Sequence, residues 1–214
     1  MLYIILEVIF IITLLIIFTY SMTEKSEHKG RIAVYLGTFN PLHIGHKTII
    51  DIISNKFDWI YLIITPQFPL NDETTPSSKE RSDNAYDTVI KCGYYNVTVY
   101  DIENDMLPPY HTVTTLKKMK HNNNNANFTL VIGADDFTHI EKLKDYQTIL
   151  SEFGVIVFPR GEEDVEYLEL KKKELLLENP EYKITIEHIM TPNISSTEIR
   201  NAIKNGNNVE HLLM

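Results

Sequence analysis

The sequence predicts a three-layer α/β domain built on a mostly parallel sheet of about six strands, preceded by an apolar N-terminal segment. Three observations carry that expectation. Six short apolar runs rich in β-branched residues alternate with helical patterns, the arrangement that gives parallel sheets covered on both faces. The chain has 214 residues, 43 % of them hydrophobic and 23 % charged, enough to bury one core and ordinary for a globular domain. The clusters of His, Asp, Ser and Arg fall directly after strand candidates, where open α/β sheets bind their ligands.

Taken in order, residues 21–30 (SMTEKSEHKG) are polar and read as a linker, with a domain expected over 31–214. RIAVYLG (31–37) is the first strand, ending in glycine. HIGHKTIIDIISNKF (43–57) places Ile49, Ile50, Ile52 and Ile53 on one helical face. WIYLIIT (59–65) is a fully apolar strand stopped by Pro66. Segment 71–92 opens as a polar loop and becomes a helix, with Ser77 or Ser78 as its N-cap and Glu80 or Arg81 in the first turn. NVTVYDI (96–102) alternates as a strand does, and PYHTVTTLKKMK (109–120) is helical. HNNNNAN (121–127) reads as a solvated surface loop. FTLVIGADD (128–136) is a buried strand running into a Gly-x-Asp turn, and FGVIVFPRG (153–161) is another strand. VEYLELKKKELLLENP (165–180) is a charged helix with a leucine stripe. YKITIEHI (182–189) is the last strand, and STEIRNAIKNG (196–206) a short helix stopped by Gly206.

Net charge is −9, with a pI of about 5.4, the wrong sign for a general nucleic-acid binder. Attraction for phosphates must therefore come from helix N-termini, a few Arg and Lys, and a metal ion brought by the substrate. The single cysteine, Cys92, excludes a disulfide framework and suits a reducing, cytoplasmic compartment. Residues 1–20 (MLYIILEVIFIITLLIIFTY) are nearly long enough to span a bilayer, but Glu7 is costly at membrane depth. No basic n-region or cleavage site marks a signal peptide. A membrane anchor, a working start at Met22 and a buried helix all stay open, as does homo-oligomerisation.

The most informative cluster follows the first strand. Gly37, Thr38, Phe39, Asn40 and Pro41 form a turn, and His43 and His46 lie in the first turn of the next helix. A glycine lets backbone amides approach an anion, and a helix N-terminus adds free donors and a positive dipole end. The three-residue spacing puts both imidazoles on one side, with Gly45 between them leaving room for a nucleotide. Nucleotidyl transfer asks for alignment and charge stabilisation more than for covalent help. An HxxH pair alone is more often incidental, and zinc is disfavoured because no Cys or acidic ligand stands at matching spacing. No protein-held metal is expected, and the turn is not the GxGxxG of dinucleotide-dependent dehydrogenases. Near the C-terminus, Asn193 and Ser195 to Thr197 can cap the short helix, with Arg200 one turn inside it as a fork for phosphate oxygens.

GTFNPLHIGH (37–46) resembles the first signature of the nucleotidyltransferase superfamily, and ISSTEIR (194–200) resembles its second, ISSTxIR. The resemblance implies a Rossmann-like fold with His43, His46 and Arg200 as the catalytic groups. It assigns Gly37, Thr38, Phe39, His43, His46, Gly133, Asp135, Asn193, Ile194, Ser195, Ser196 and Arg200 to ATP, with Asp135 meeting the ribose. Mg²⁺ is expected to arrive with ATP. The whole of 31–207 looks like the bacterial-type nicotinate-nucleotide adenylyltransferases: PYHTVTTL resembles their SYTxxTL segment, 132–150 their IGxD…WxxxxxIL segment, and GVIVFPRG their strand ending in R-P-G. That likeness implies a pyridine mononucleotide acceptor contacted by Thr38, Phe39, Asn40, Thr112, Leu143, Lys144 and Arg160, with Thr112 at the nicotinate carboxylate.

The chain departs from the family in four places. His111 replaces the usual Tyr, and Leu143 replaces the Trp that stacks on the ring. The chain ends at Met214, about one helix early, and in the loop after the second strand only Lys79 and Arg81 are left as phosphate contacts. Amidated nicotinamide mononucleotide and phosphopantetheine are the rival acceptors, though phosphopantetheine enzymes lack a PYHTVTTL-like segment. Cytidylyltransferases lack the counterpart of Pro41, and a non-catalytic sensor or adaptor would not need both His and Arg200.

Overall fold

A computed structural model of the chain describes residues 28–66, 76–100 and 102–214. All six expected strands form: β1 Gly30–Gly37, β2 Trp59–Ile64, β3 Val97–Val99, β4 Ala126–Gly133, β5 Val155–Phe158 and β6 Ile184–Ile186. They make one sheet in the order β3-β2-β1-β4-β5-β6, and every pairing is parallel. The edge strands β3 and β6 are three residues long, shorter than their apolar runs, since each is paired along one side only.

A parallel sheet must be covered on both faces, and alternate residues of each strand serve the two layers. Ala33, Tyr35, Ile60, Leu62 and Ile64 pack against helix α1 (Ile44–Ser54) through Ile49, Ile50 and Ile53, and against α2 (Ser78–Lys91) through Ala85 and Val89. Ile32, Val34, Tyr61, Ile63 and Leu130 face the opposite way. They meet α3 (Thr112–Asn122) at Leu116 and Met119, and α5 (Glu162–Glu178) at Leu168 and Leu175. Between β4 and β5 lie α4 (Ala134–Thr138), a 3₁₀ turn, and a short α turn that runs into a π turn at Ile149–Phe153. The last helix is α6 (Ser196–Lys204).

Two local expectations change. The Asn-rich stretch is not a solvated loop over 121–127: α3 continues through Asn122, and β4 begins at Ala126. Lys120 Nζ holds the carbonyls of Asn124 and Ala126, and buried Asn123 donates to the His28 carbonyl at 2.7 Å, which ties the turn to the start of the domain. The stretch read as linker ends earlier than Gly30. His28 stacks on the Trp59 ring at 3.4 Å and its Nδ1 lies 2.9 Å from the Tyr61 hydroxyl. Among the described residues no helix is long and apolar enough to cross a membrane. Residues 1–20, with the three readings left open for them, lie outside the described residues.

The chain leaves β1 toward β2 on one side and returns, after β3, to β4 on the other. The carboxyl ends of β1 and β4 therefore flank the switch point, where such sheets open a crevice for ligands.

Candidate active site

The turn that follows β1 is held in an unusual backbone state. Phe39 has φ of +43°, a left-handed conformation that costs a non-glycine residue on the order of 1 kcal/mol and persists only when its surroundings enforce it. Its ring lies under Gly37, where a Cβ would come within 3.0 Å of it, and packs edge-on against Tyr35 and His46. Arg200 Nη1 donates to the Asn40 carbonyl at 2.8 Å, and Ser196 Oγ to the Pro41 carbonyl at 3.1 Å, tying the turn to the start of α6. Leu213 pairs with His43 in a single antiparallel bridge behind it.

The helix start after the turn explains the spacing of the two histidines. The Gly45 N–H donates to His43 Nδ1 at 3.2 Å, and the His43 N–H donates to His46 Nδ1 at 3.3 Å. This is a capping box with two imidazoles where Ser and Glu usually stand, and it needs the same three-residue interval. A backbone N–H can only donate, so both Nδ1 atoms are acceptors and both Nε2 atoms carry the proton. The rings stack at 3.7 Å. Burial lowers His43 to a pKa of about 4, helped by the positive charge of Arg160 and opposed by Glu198. Burial first, then His43 and Arg160, lowers His46 to about 3. At neutral pH the pair is uncharged and offers two N–H donors to an arriving anion.

Gly45 has a role that the spacing did not reveal. Besides lining the cavity as expected, it leaves room for the His43 ring, which lies 3.0 Å from an added Cβ, with Ile194 at 3.5 Å.

The second signature meets the first across the crevice. Ser195 caps α6, its Oγ accepting from the Glu198 N–H while the Glu198 carboxylate accepts from Ser195 N–H and Oγ–H. Asn193 is not the cap. Arg160, just past β5, pairs with Asp135 at 2.9 Å, bridging the ends of β5 and β4. Asp136 beside it is pushed up by burial, then by Asp135, against the pull of Arg160. The phenol of Tyr35 is also raised, by burial and then by Asp136.

These groups surround one open cavity of about 270 Å³, near the lower end of ligand pockets, roughly 300–1,000 Å³. Of the residues singled out from the sequence, it brings together Gly37, Thr38, Phe39, His43, Gly45, His46, Gly133, Asp135, Arg160, Ile194, Ser195 and Ser196. Asn40, Asn193, Arg200, Thr112, Leu143 and Lys144 do not line it. Thr112 is the first residue of α3, whose N-cap His111 makes no side-chain capping bond. Leu143 is half-buried against the core under α3 and α4, and Lys144 is exposed. Lys79 pairs with Asp83 on the exposed face of α2, Arg81 is buried on backbone carbonyls, and neither lines the cavity. Sequence reasoning missed Tyr35, Asp136, Thr191 and Pro192 in the wall. Tyr35 and Asp136 had a signal, since each adjoins a recognised motif at a strand's carboxyl end. Thr191 and Pro192 had none beyond their place before ISST.

Residues 34–202 match the family model described as cytidylyltransferase-like. A protein of Flavobacterium johnsoniae described as a probable nicotinate-nucleotide adenylyltransferase is 33 % identical over 86 % of this chain and 91 % of its own length. One of the same description from Fusobacterium nucleatum is 32 % identical over 86 % of this chain and 92 % of its own. Among solved structures, the nicotinic acid mononucleotide adenylyltransferase of Plasmodium falciparum in complex with NaAD superposes with a TM-score of 0.67 at 22 % identity, covering 85 % of this chain and 87 % of that one. At that identity the likeness speaks for the fold alone.

Proposed function

This chain belongs to the cytidylyltransferase-like family and is a nucleotidyltransferase of the nicotinate-nucleotide adenylyltransferase group, and on that premise we propose that it transfers AMP from ATP to nicotinate mononucleotide, releasing pyrophosphate, in the cytoplasm. One observation carries the reading: a single cavity at the switch point holds two neutral imidazoles with their Nε2–H groups free, the start of α6, and the Arg160–Asp135 pair.

In this reading the triphosphate lies between the starts of α1 and α6. His43 and His46 donate to phosphate oxygens, His46 to those of the α-phosphate. The Ser196 and Thr197 amides, which follow the cap, receive the departing phosphates, and Arg200 steadies that end through Asn40 and Thr197. Asp135 takes the ribose hydroxyls. The acceptor's phosphate oxygen attacks the α-phosphorus in line. The new P–O bond forms as the α–β bridging bond breaks, and pyrophosphate leaves with the electron pair. No side chain becomes covalently modified. Inversion at a chiral α-phosphorothioate is therefore expected, and net retention would overturn the direct transfer.

A divalent metal is typical of the family. In this reading Mg²⁺ would be held by the phosphates of ATP. When bound it neutralises charge on the leaving pyrophosphate.

The acceptor carboxylate is assigned to Thr112 and the uncapped start of α3. Donors arranged for an anionic oxygen meet an amide NH₂ unpaired, at ~1–3 kcal/mol, so the acid is expected to be preferred roughly tenfold to a few hundredfold in kcat/KM. Pyrophosphate release with ATP and Mg²⁺ against nicotinate mononucleotide, nicotinamide mononucleotide and phosphopantetheine tests both levels. Equal use of acid and amide overturns the acceptor, and no release with any of the three overturns adenylyl transfer.

A further inference from the structure

We propose that Arg81 is a positioning residue for the phosphate-binding turn, gripping the Thr38 carbonyl from behind so that the Phe39 N–H faces the cavity. The inference rests on the reading of that cavity as a triphosphate site.

Arg81 lies in the first turns of α2 and is 2 % exposed. Its Nη1 donates to the Thr38 carbonyl at 2.7 Å and to the Thr65 carbonyl at 3.1 Å. Nη2 donates to Thr65 at 3.1 Å, and Nε to the Pro76 carbonyl at 3.2 Å. A buried guanidinium is tolerated only when its fork is satisfied, and here three carbonyls from three segments satisfy it. Those segments are the turn after β1, the end of β2 and the lead into α2, the parts that converge behind the site.

The consequence for the turn follows from peptide geometry. In the trans peptide between Thr38 and Phe39 the C=O and N–H point in opposite directions. Phe39 separates two spaces: the front cavity with His43 and His46, and a smaller one of about 130 Å³ behind, which Arg81 lines with Asn40, Pro41 and Met214. With the Thr38 carbonyl drawn back onto Arg81, the Phe39 N–H is directed forward. Among the described residues nothing accepts from it. Arg200 holds the Asn40 carbonyl on the other side of the same residue. Arg81 thus pins the peptide before Phe39 and Arg200 the peptide after Asn40, so the left-handed φ of +43° at Phe39 is held from both sides of the turn. Lysine at 81 could keep the charge and one carbonyl but not the fork across three.

Titration of inorganic triphosphate and of ATP into wild type, Arg81→Lys and Arg81→Gln separates this role from simpler ones. Losing one aimed donor and the turn's geometry is expected to weaken both ligands about tenfold to a hundredfold in each variant, raising KM for ATP more than it lowers kcat. If Arg81→Gln does not fold, Arg81→Lys carries the reading alone, since it keeps charge and most of the volume. Wild-type affinity in folded Arg81→Lys would overturn the proposal, because charge and not the fork would then suffice. A lowered melting temperature with unchanged ATP affinity would overturn it as well, leaving Arg81 a purely structural brace. Absence of triphosphate binding by wild type would instead overturn the cavity's assignment, and the proposal with it.

Discussion

The two halves of the site are built in opposite ways. On the proposed triphosphate side, the turn after β1, the starts of α1 and α6, and the ends of β4 and β5 share one cavity, and His43, His46, Arg160 and Asp135 are each fixed there by a further bond. On the proposed acceptor side, Thr112, Leu143 and Lys144 sit outside that cavity, and the start of α3 has no side-chain cap. Transferring a nucleotidyl group demands that charge be met in a preset geometry, whereas a flat ring can be recognised by whatever shape the acceptor pocket supplies. Substitutions on the first side should accordingly damage turnover, and those on the second should move KM and selectivity.

His46→Ala is where the contrast should be widest. Removing one preorganised donor typically lowers turnover on the order of 10²–10³-fold. The loss should persist at saturating ATP and leave the acceptor's KM within about twofold, on the same reasoning. Near wild-type kcat in steady-state assays would dissolve the distinction between the two halves.

Gly45→Ala should come next. The added Cβ would sit 3.0 Å from His43 Cε1 and Nδ1, so the ring must give by a few tenths of an ångström against its bond from the Gly45 N–H. Overpacking of this kind costs ~1–3 kcal/mol, or roughly ten- to a hundredfold in kcat/KM for ATP if it falls on the bound state. A crystal structure of the variant with His43 unmoved and activity intact would show that the cap tolerates more freedom than its geometry implies.

On the acceptor side a gain is expected. Leu143→Trp restores the stacking surface that the family resemblance implies at this position. An aromatic stack is worth ~0.5–1.5 kcal/mol, so KM should fall roughly two- to tenfold for acid and amide alike. Both rings present the same face, so their ratio should hold. A change in that ratio measured in competition assays would place residue 143 among the selectivity groups.

Much of this contrast was legible in the sequence for physical reasons. Local periodicity marked all six strands, and the strand-to-helix turns at Gly37 and Gly133 marked the site, because the chemistry of a helix start depends on neighbours in sequence. The contacts that were not legible are the long-range ones. Nothing around Arg81 shows that it lies on Thr38, 43 residues away, or that Arg200 holds Asn40 across 160. Nor does the sequence separate Arg160 from the acceptor residues; the fold brings it to Asp135. The docking of His28 was hidden in the same way, inside a stretch whose composition reads as linker.

That docking supports the prediction with the smallest effect on catalysis. His28 meets Trp59 and Tyr61 at the amino ends of the strands, the far end of the sheet from the cavity. A chain beginning at Met22 keeps this contact and should match the full chain in kcat and in both KM values. A chain beginning at Arg31 loses a ring stack, two hydrogen bonds and the Gly30–Ala126 end of the β1–β4 pairing, together about 1–3 kcal/mol. For a domain of this size that lowers Tm by roughly 2–10 °C, with kcat unchanged below the transition. The gap between the two chains should depend on pH. Burial holds His28 below its ordinary value of 6.5, so between the two values the unfolded state binds more protons than the folded one. Its contribution is complete above about pH 6.5 and is lost as pH falls toward the lowered value. Melting curves of both chains from pH 8 down to pH 5 should therefore converge. A constant difference would mean that Trp59 and Asn123, not the imidazole, account for the docking, and a drop in kcat for the Arg31 chain would mean that the two ends of the sheet are coupled.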